Sequence, residues 1–381
     1  MMSIKEFIKK HMPLTRQKFE QYQRLTQISL DEKFDEFQRL MQTSLDKNLN
    51  EFDDHLERRI VPYLEQTSQD IKNLPLLLET QKIESRFNDL EQLITNYKNQ
   101  RDQLFWQMYR HDDETVLDAK KRFFMNLPSV GGELRLLQNR ESDLLKVFKK
   151  ICDENSIVYW LWGGTLLGSI RHKGFIPWDD DIDLGIPRSE LSKLLSIIPQ
   201  YNNFRIVIKY DAFVMCKQIR FQYADVTKSE FLDLFVFDTC KLNCNSTNAV
   251  AKKNEIKNQM IQELESHPDL EGFRKDKFVL ETSNEGLLIA EIFKKYNLRL
   301  KNELNIDEIF DFDSPYIFYA IDNYEPKPAE IIPLKTYFPL KQNCFEGDYY
   351  NIPDGADIIL KELYGEDYYK FPDGKPHFSH F

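Results

Sequence analysis

Four carboxylates, Asp179, Asp180, Asp181 and Asp183, crowd into five consecutive positions. They follow the basic triplet Arg171-His172-Lys173, which itself follows the turn Gly163-Gly164-Thr165. Acids this close repel one another unless a cation lies among them. Glycines let backbone approach a ligand, and Arg171 and Lys173 suit phosphate oxygens. Carboxylates for a divalent metal beside groups for phosphate point to metal-assisted chemistry on a nucleotide or phosphodiester.

In an extended segment Asp181 and Asp183 fall on one face, about 7 Å apart along the backbone, where they can share one or two magnesium ions that grip a diphosphate. Asp233 stands alone between apolar neighbours in Leu232-Asp233-Leu234-Phe235. A carboxylate there is costly to bury unless paired or metal-bound. It reads either as a third metal ligand, or base for an acceptor hydroxyl, or as the partner of Lys217 or Arg220. Adjacent strands would bring it to the same site, which favours the first reading. Gly163, Gly164 and Thr165 open a helix whose amides can hold an anion. Arg171 would contact phosphate or pair with Asp179 or Asp180. His172 reads equally as an acid–base group and as a hydrogen-bonded structural residue. Trp178 reads equally as a base-stacking ring and as core. His377 and His380 are three apart, but so near the end exposed or capping roles are favoured over metal.

The elements that must position these groups follow from the pattern. Glu133 to Glu154 reads as a helix, Ile157 to Trp162 as a buried strand, Leu166 to Arg171 as a short helix, and Asp181 to Ile186 as a strand with its acids on one face. Ser189 is read as capping a helix to about Ile198. Phe204 to Lys209, Phe213 to Gln222 and Phe231 to Phe237 are strands. Helices are read at Ala249 to Glu265, Asn284 to Glu303 and Ile306 to Phe310. Thr336 to Phe338 and Cys344 to Tyr350 are strands, and a helix after Pro353 stops at Gly365. Upstream, a 15-residue repeat (Phe19/Tyr22/Leu25, Phe34/Phe37/Leu40, Leu49/Phe52/Leu56) and the run Ile83 to Tyr109 read as helices, interrupted at Pro62 and Pro75. The fold class expected is α+β: a mixed sheet with helices, preceded by a long all-α N-terminal region at 1–130. A catalytic core at 131–240, a helical insert at 241–330 on the acceptor side and a closing segment at 331–381 complete it.

Composition narrows the classes. The chain has 381 residues with a net charge of −11, which argues against a general nucleic-acid binder. Five cysteines, irregularly spaced, form no disulfide framework and suit a reducing compartment. A zinc site on Cys240, Cys244 and Cys344 is less favoured than isolated buried thiols. The segment MMSIKEFIKKHM lacks the apolar stretch of a signal peptide, and no run is long enough to span a bilayer. A cytoplasmic protein is expected, with peripheral attachment to the inner membrane face as an option carried by Lys5, Lys9 and Lys10 around apolar residues. The N-terminal helices read as an oligomerisation or docking stalk, which would make the protein a homo-oligomer, or as a helical bundle packed on its own catalytic domain, with the first reading favoured.

The blocks WGGTLLG and RHKGFIPWDDDID, from Trp162 to Asp183, resemble the LicD family, phosphocholine transferases of bacterial surface glycans, with fukutin-type phosphoribitol transferases as more distant members. The likeness covers about 136–240 and reaches Glu346-Gly347, Ile352-Pro353, Leu363-Tyr364-Gly365 and Pro372. It implies a nucleotidyltransferase-like core, with Gly163, Gly164 and Thr165 as the glycine turn, Asp181 and Asp183 as the metal pair and Asp233 as the third acid. Arg171, His172, Trp178, Asp179 and Asp180 would line the nucleotide. It further implies a transferase using Mg2+ or Mn2+ that moves phosphocholine or phosphoethanolamine from a CDP-linked donor to a hydroxyl of a glycan or lipid-linked glycan. Two alternatives are a nucleotidyltransferase acting on a small molecule or protein, and a helical scaffold with an inactive transferase domain.

Overall fold

The computed structural model describes residues 76–242, 246–270, 278–307, 309–324 and 331–371. The 15-residue repeat, Pro62, Pro75, Cys244, Pro372, His377 and His380 lie outside the described residues. The chain divides into two units, 1–102 and 103–381. Of the first, the described part is helical: α1 runs Leu76–Tyr109 and carries on into the second unit. That agrees with the run read from Ile83 to Tyr109.

In the second unit come α2 (Val116–Met125), α3 (Gly132–Glu154), β1 (Trp160–Leu161), α4 (Gly163–Arg171), β2 (Asp183–Pro187) and α5 (Arg188–Ile197). Then follow β3 (Phe204–Asp211), β4 (Cys216–Tyr223), β5 (Phe231–Cys240), α6 (Ser246–Ser266), β6 (Phe278–Leu280) and α7 (Asn284–Leu304). The closing part holds β7 (Tyr316–Tyr319), β8 (Ile331–Pro333), β9 (Lys341–Phe345), β10 (Asp348–Ile352) and α8 (Ala356–Tyr364). The result is a mixed sheet with helices. Eight strands form one sheet in the order β1-β2-β5-β4-β3-β6, with β7 joining β5 to β8; β9 and β10 form a separate hairpin. β2 and β5 are parallel and the other pairs antiparallel.

β5 is the hub. Its first residues pair with β4, its middle with β2 and its last with β7. Eight of its ten residues are buried, on both faces, and the run Phe231-Leu232-Asp233-Leu234-Phe235-Val236-Phe237 is almost continuously apolar, as expected of a strand covered on both sides. The exception is Asp233. α3 covers one face with a stripe at helical spacing, Leu137, Leu144, Leu145, Phe148 and Ile151. Trp160, Trp162, Phe237 and Tyr337 interlock at centroid distances from 4.9 to 6.1 Å. Gly185 is required there, because a Cβ would stand 2.3 Å from the Trp160 indole nitrogen. A second apolar core lies where α6 and α7 pack together, through Ile256, Met260, Ile289 and Phe293.

Several expected elements differ. β2 starts at Asp183, so Asp181 precedes the strand; β1 is only two residues long and offers no ladder partner further back. α4 begins at Gly163, taking the glycines into its first turn. Ser189 does not cap α5, which begins at Arg188 after Pro187. The helix read at Ile306 to Phe310 is not found among the described residues there: Ile306 bridges Cys240, and the Asp311 amide bonds the Thr239 hydroxyl. Residues 334–336 form a 3-10 turn instead of leading into a strand. The strand read at Cys344 to Tyr350 is a hairpin turned at Glu346-Gly347, with φ of +49° and +85°.

Candidate active site

The register of three strands builds the site. Asp183 on β2 lies opposite Asp233 on β5, and Asp233 lies opposite Arg220 on β4. Directly opposed residues project to the same face about 5 Å apart. Asp181, from the segment before β2, completes the group: one oxygen each from Asp181, Asp183 and Asp233 lie within 4.8 Å of one another. All three are part-exposed. Oxygen ligands so gathered suit a hard divalent cation, which takes one or two carboxylates at the least.

α4 holds Asp183 from the other side. The Gly164 amide donates to Asp183 Oδ2 at 3.2 Å, and the Asp183 amide donates to Thr165 Oγ1 at 2.8 Å. A Cβ on Gly163, which has φ +51°, would come 2.4 Å from Asp183 Oδ2, and one on Gly164 would come 2.8 Å from Asp179 Oδ2. The glycine turn is therefore needed for carboxylates to abut the helix start, where amides favour negative charge. Burial first, then the charges of Asp181, Asp233 and Asp179, raise the Asp183 carboxyl well above its usual range, against the Gly164 hydrogen bond.

Asp233 has neighbours of both kinds that the sequence offered it. It sits in the three-carboxylate group and also pairs with Arg220, Nε to Oδ1 at 2.9 Å. Arg220 is fixed over the Phe231 ring, 3.6 Å from its centroid. Lys209 on β3 belongs to the same neighbourhood: burial, then the nearby Arg220, lower its pKa, while Asp233 opposes them and Arg205 adds to them.

Arg171 and His172 are placed otherwise. Arg171 is buried, and its guanidinium NH1 donates to the carbonyls of Tyr368 at 2.9 Å and Lys370 at 3.0 Å. Its Nε donates to His172 Nε2 at 2.9 Å, and it lies over the Phe124 ring. Burial brings Arg171 down to about 10. His172 Nδ1 bonds the Phe124 carbonyl at 2.8 Å, so the ring is the Nδ1–H tautomer with both nitrogens engaged. Burial, then Arg171, lower its pKa to about 4, which keeps it neutral. These two residues lock the C-terminal segment onto α2 and α4. Trp178 packs against Phe371 at 5.7 Å between centroids while staying part-exposed. Asp179 is held through its carbonyl by Gln138 Nε2 at 2.8 Å, and Asp180 is buried at 5% exposure.

Several residues that the sequence did not mark as site residues have contacts that bear on it. Arg135 pairs with Glu346 at 2.6 Å, and Glu346 also accepts from the Phe175 amide, so the hairpin β9–β10 braces the loop carrying Lys173 and Gly174. A Cβ on Gly174 would meet Glu346 Oε1. Tyr364 has its pKa raised first by burial and then by the charge of Asp183. Glu141 lies on the apolar stripe of α3, four residues after Leu137 and three before Leu144, which is the signal that could have marked it. Arg188, five residues after Asp183, forks onto Asp238 and Asp322 and ties α5 to β5 and to the segment after β7.

Residues 156–268 match the family described as LicD/FKTN/FKRP, nucleotidyltransferase domain. An uncharacterized protein of Rickettsia prowazekii is 40% identical over 76 residues, covering 20% of this chain and 29% of that one. The lipopolysaccharide cholinephosphotransferase LicD of Haemophilus influenzae is 26% identical over 256 residues, covering 59% of this chain and 87% of that protein. The ribitol 5-phosphate transferase FKRP of Homo sapiens is 53% identical over 36 residues, covering 9% of this chain and 7% of that one. The chain spans 29% and 27% of the lengths of the two Rickettsia relatives it matches. No helix among the described residues is long and apolar enough to cross a membrane. The glycine turn, the acid run and the register joining Asp183 to Asp233 all fall inside residues 156–268, the stretch that matches the LicD/FKTN/FKRP family.

Proposed function

We propose that the protein transfers a phospho-alcohol group, of phosphocholine or phosphoethanolamine type, from a CDP-linked donor to a hydroxyl of a cell-surface glycan. The catalytic core at 131–240 would have the nucleotidyltransferase-like fold, with 241–330 on the acceptor side and 331–381 closing the site. The observation that carries this reading is the convergence of Asp181, Asp183 and Asp233 within 4.8 Å beside two cationic side chains. The LicD relative is a cholinephosphotransferase and the FKRP relative a ribitol 5-phosphate transferase, and both names describe moving an alcohol phosphate.

The three carboxylates fit a hard divalent cation, because their oxygens converge and no Lys or Arg among the described residues is bonded to the Asp183 carboxyl. Bound there, Mg2+ or Mn2+ supplies charge neutralisation for a diphosphate and its departing phosphate. The chain's own residues do the rest. Gly163 and Gly164 let the carboxylates close on α4, and Thr165 fixes the start of β2. Arg220 orients Asp233, which completes the ligand set or accepts the proton of the acceptor hydroxyl. Arg220 and Lys209 are the cations best placed to meet donor phosphate, a role that the buried Arg171 leaves to them. Arg171 and His172 instead hold the closing segment over the site, with Trp178 and Tyr364 at its rim.

The test is product analysis. Purified protein with Mg2+ and CDP-choline should release CMP, and with CTP it should release no diphosphate. Asp181→Asn should abolish CMP release while the protein still melts cooperatively. Diphosphate release from CTP would instead support a nucleotidyltransferase on the same core. An active Asp181→Asn variant would remove the carboxylates from the chemistry.

A further inference from the structure

Glu141 stands out from every other acid among the described residues. It is 0% exposed, and neither carboxylate oxygen has a hydrogen-bond partner. Its place on α3 is fixed on both sides. One turn earlier, Gln138 bonds the Asp179 carbonyl; next to it, Arg140 pairs with Glu230 at 2.5 Å. Glu141 therefore faces the acid run. The charges acting on it are, in falling order, those of Asp181, Asp180, Asp179 and Glu230. The second oxygen of Glu230, itself 4% exposed, is also without a partner.

A leucine in this stripe would continue the packing of Leu137 and Leu144. A buried carboxylate with two unmet acceptors, aimed at more carboxylates, is unfavourable unless positive charge arrives. Among the described residues, Arg140 is on Glu230 and Arg220 is on Asp233. Magnesium-type ions need only one or two protein carboxylates, taking water and substrate phosphate for the remainder, and paired ions in phosphoryl-transfer sites lie about 3.5–4 Å apart with a shared ligand.

We propose that Glu141 and Asp181 bracket a second divalent-cation subsite, adjoining the Asp181–Asp183–Asp233 set and sharing Asp181 with it. This rests on the reading of those three aspartates as a cation site, and deepens it. Glu141 thereby becomes a cation ligand of the second subsite, and its burial shields that ion from bulk water.

The experiment is Mn2+ titration of the full chain followed by electron paramagnetic resonance. Wild type should bind two Mn2+ per chain, with the signal broadened as the second ion loads beside the first. Glu141→Gln should bind one, with the broadening gone, and Glu141→Asp should bind two with the second weakened about tenfold or more. Asp183→Asn should lose the first ion. A wild-type stoichiometry of one overturns the proposal and leaves the three-aspartate site standing. Binding of none overturns both. Two broadened ions in Glu141→Gln also overturn it. Because wild-type stoichiometry and broadening are read without any variant, the test survives a variant that fails to fold.

Discussion

Replacing Asp183 by Asn should stabilise the cation-free protein while disabling it. Asp183 has carboxylate neighbours, Asp181 and Asp233, with oxygens within 4.8 Å. At that distance and an effective dielectric constant of about 20, each fully ionised pair repels by about 3 kcal/mol. Asp183 already avoids part of this by taking up a proton, as its raised pKa requires. The net relief at neutral pH is therefore about 1–3 kcal/mol, or a melting temperature higher by roughly 3–8 °C for a unit of this size. Asn keeps an oxygen for the Gly164 amide, and the backbone bond to Thr165 is untouched. The assay is thermal melting in EDTA and in millimolar Mg2+. In EDTA the variant should melt above wild type. On adding Mg2+, wild type should rise by mass action and the variant far less. A variant that melts lower in EDTA, or that gains from Mg2+ as much as wild type, would show that Asp183 is an ordinary paired acid.

Further outcomes follow from other groups at the site. Burial, then the neighbouring acids, raise Glu141 from 4.5 to about 10, so the native state holds a proton that the unfolded chain releases. Cation-free wild type should thus lose stability as pH climbs from about 5 toward 10, by up to about 1.4 kcal/mol per pH unit, and the difference between wild type and Glu141→Gln melts should isolate this slope. Equal slopes in the two proteins would contradict it. Gly164→Ala sets a Cβ 2.8 Å from Asp179 Oδ2, and should cut Mg2+ affinity at least tenfold in calorimetry while the fold persists. Unchanged affinity would mean that the acid run adapts freely. Arg171→Met strips donors from the Tyr368 and Lys370 carbonyls, at about 1–3 kcal/mol for each acceptor left buried and unmet. Protease should then cut the C-terminal segment faster than in wild type, and identical cleavage rates would refute the clamp.

Much of this architecture was legible beforehand, for identifiable reasons. β3, β4 and β5, α3, α6 and α7 follow from apolar periodicity over long runs, where the pattern is strongest. The coming together of Asp183 and Asp233 was readable because both sit on strand-like segments and adjacent strands place their acids side by side. Asp181 was misread as part of β2: the pattern alternates back to it, but a strand needs a neighbour, and β1 ends too soon. Arg171 followed the same logic. Its charge and its position after the glycine helix suggest phosphate, yet tertiary contact with Tyr368 and Lys370, almost 200 positions on, decides its role. Glu141 was hidden by the opposite effect, since one acid in an otherwise apolar stripe looks like a solvated edge until burial is known. The short strands β6, β7 and β8 carry three or four residues each, too few for periodicity to declare itself.

Anomalous scattering from a Mn2+-soaked crystal tests the central claim most directly. A peak should appear between the side chains of Asp181, Asp183 and Asp233, about 2.0–2.3 Å from an oxygen of each, as an oxygen-bound ion of this class demands. At saturating Mn2+, density showing no ion there, with Asp233 still held by Arg220 and Asp183 still turned to Gly164, would contradict the account.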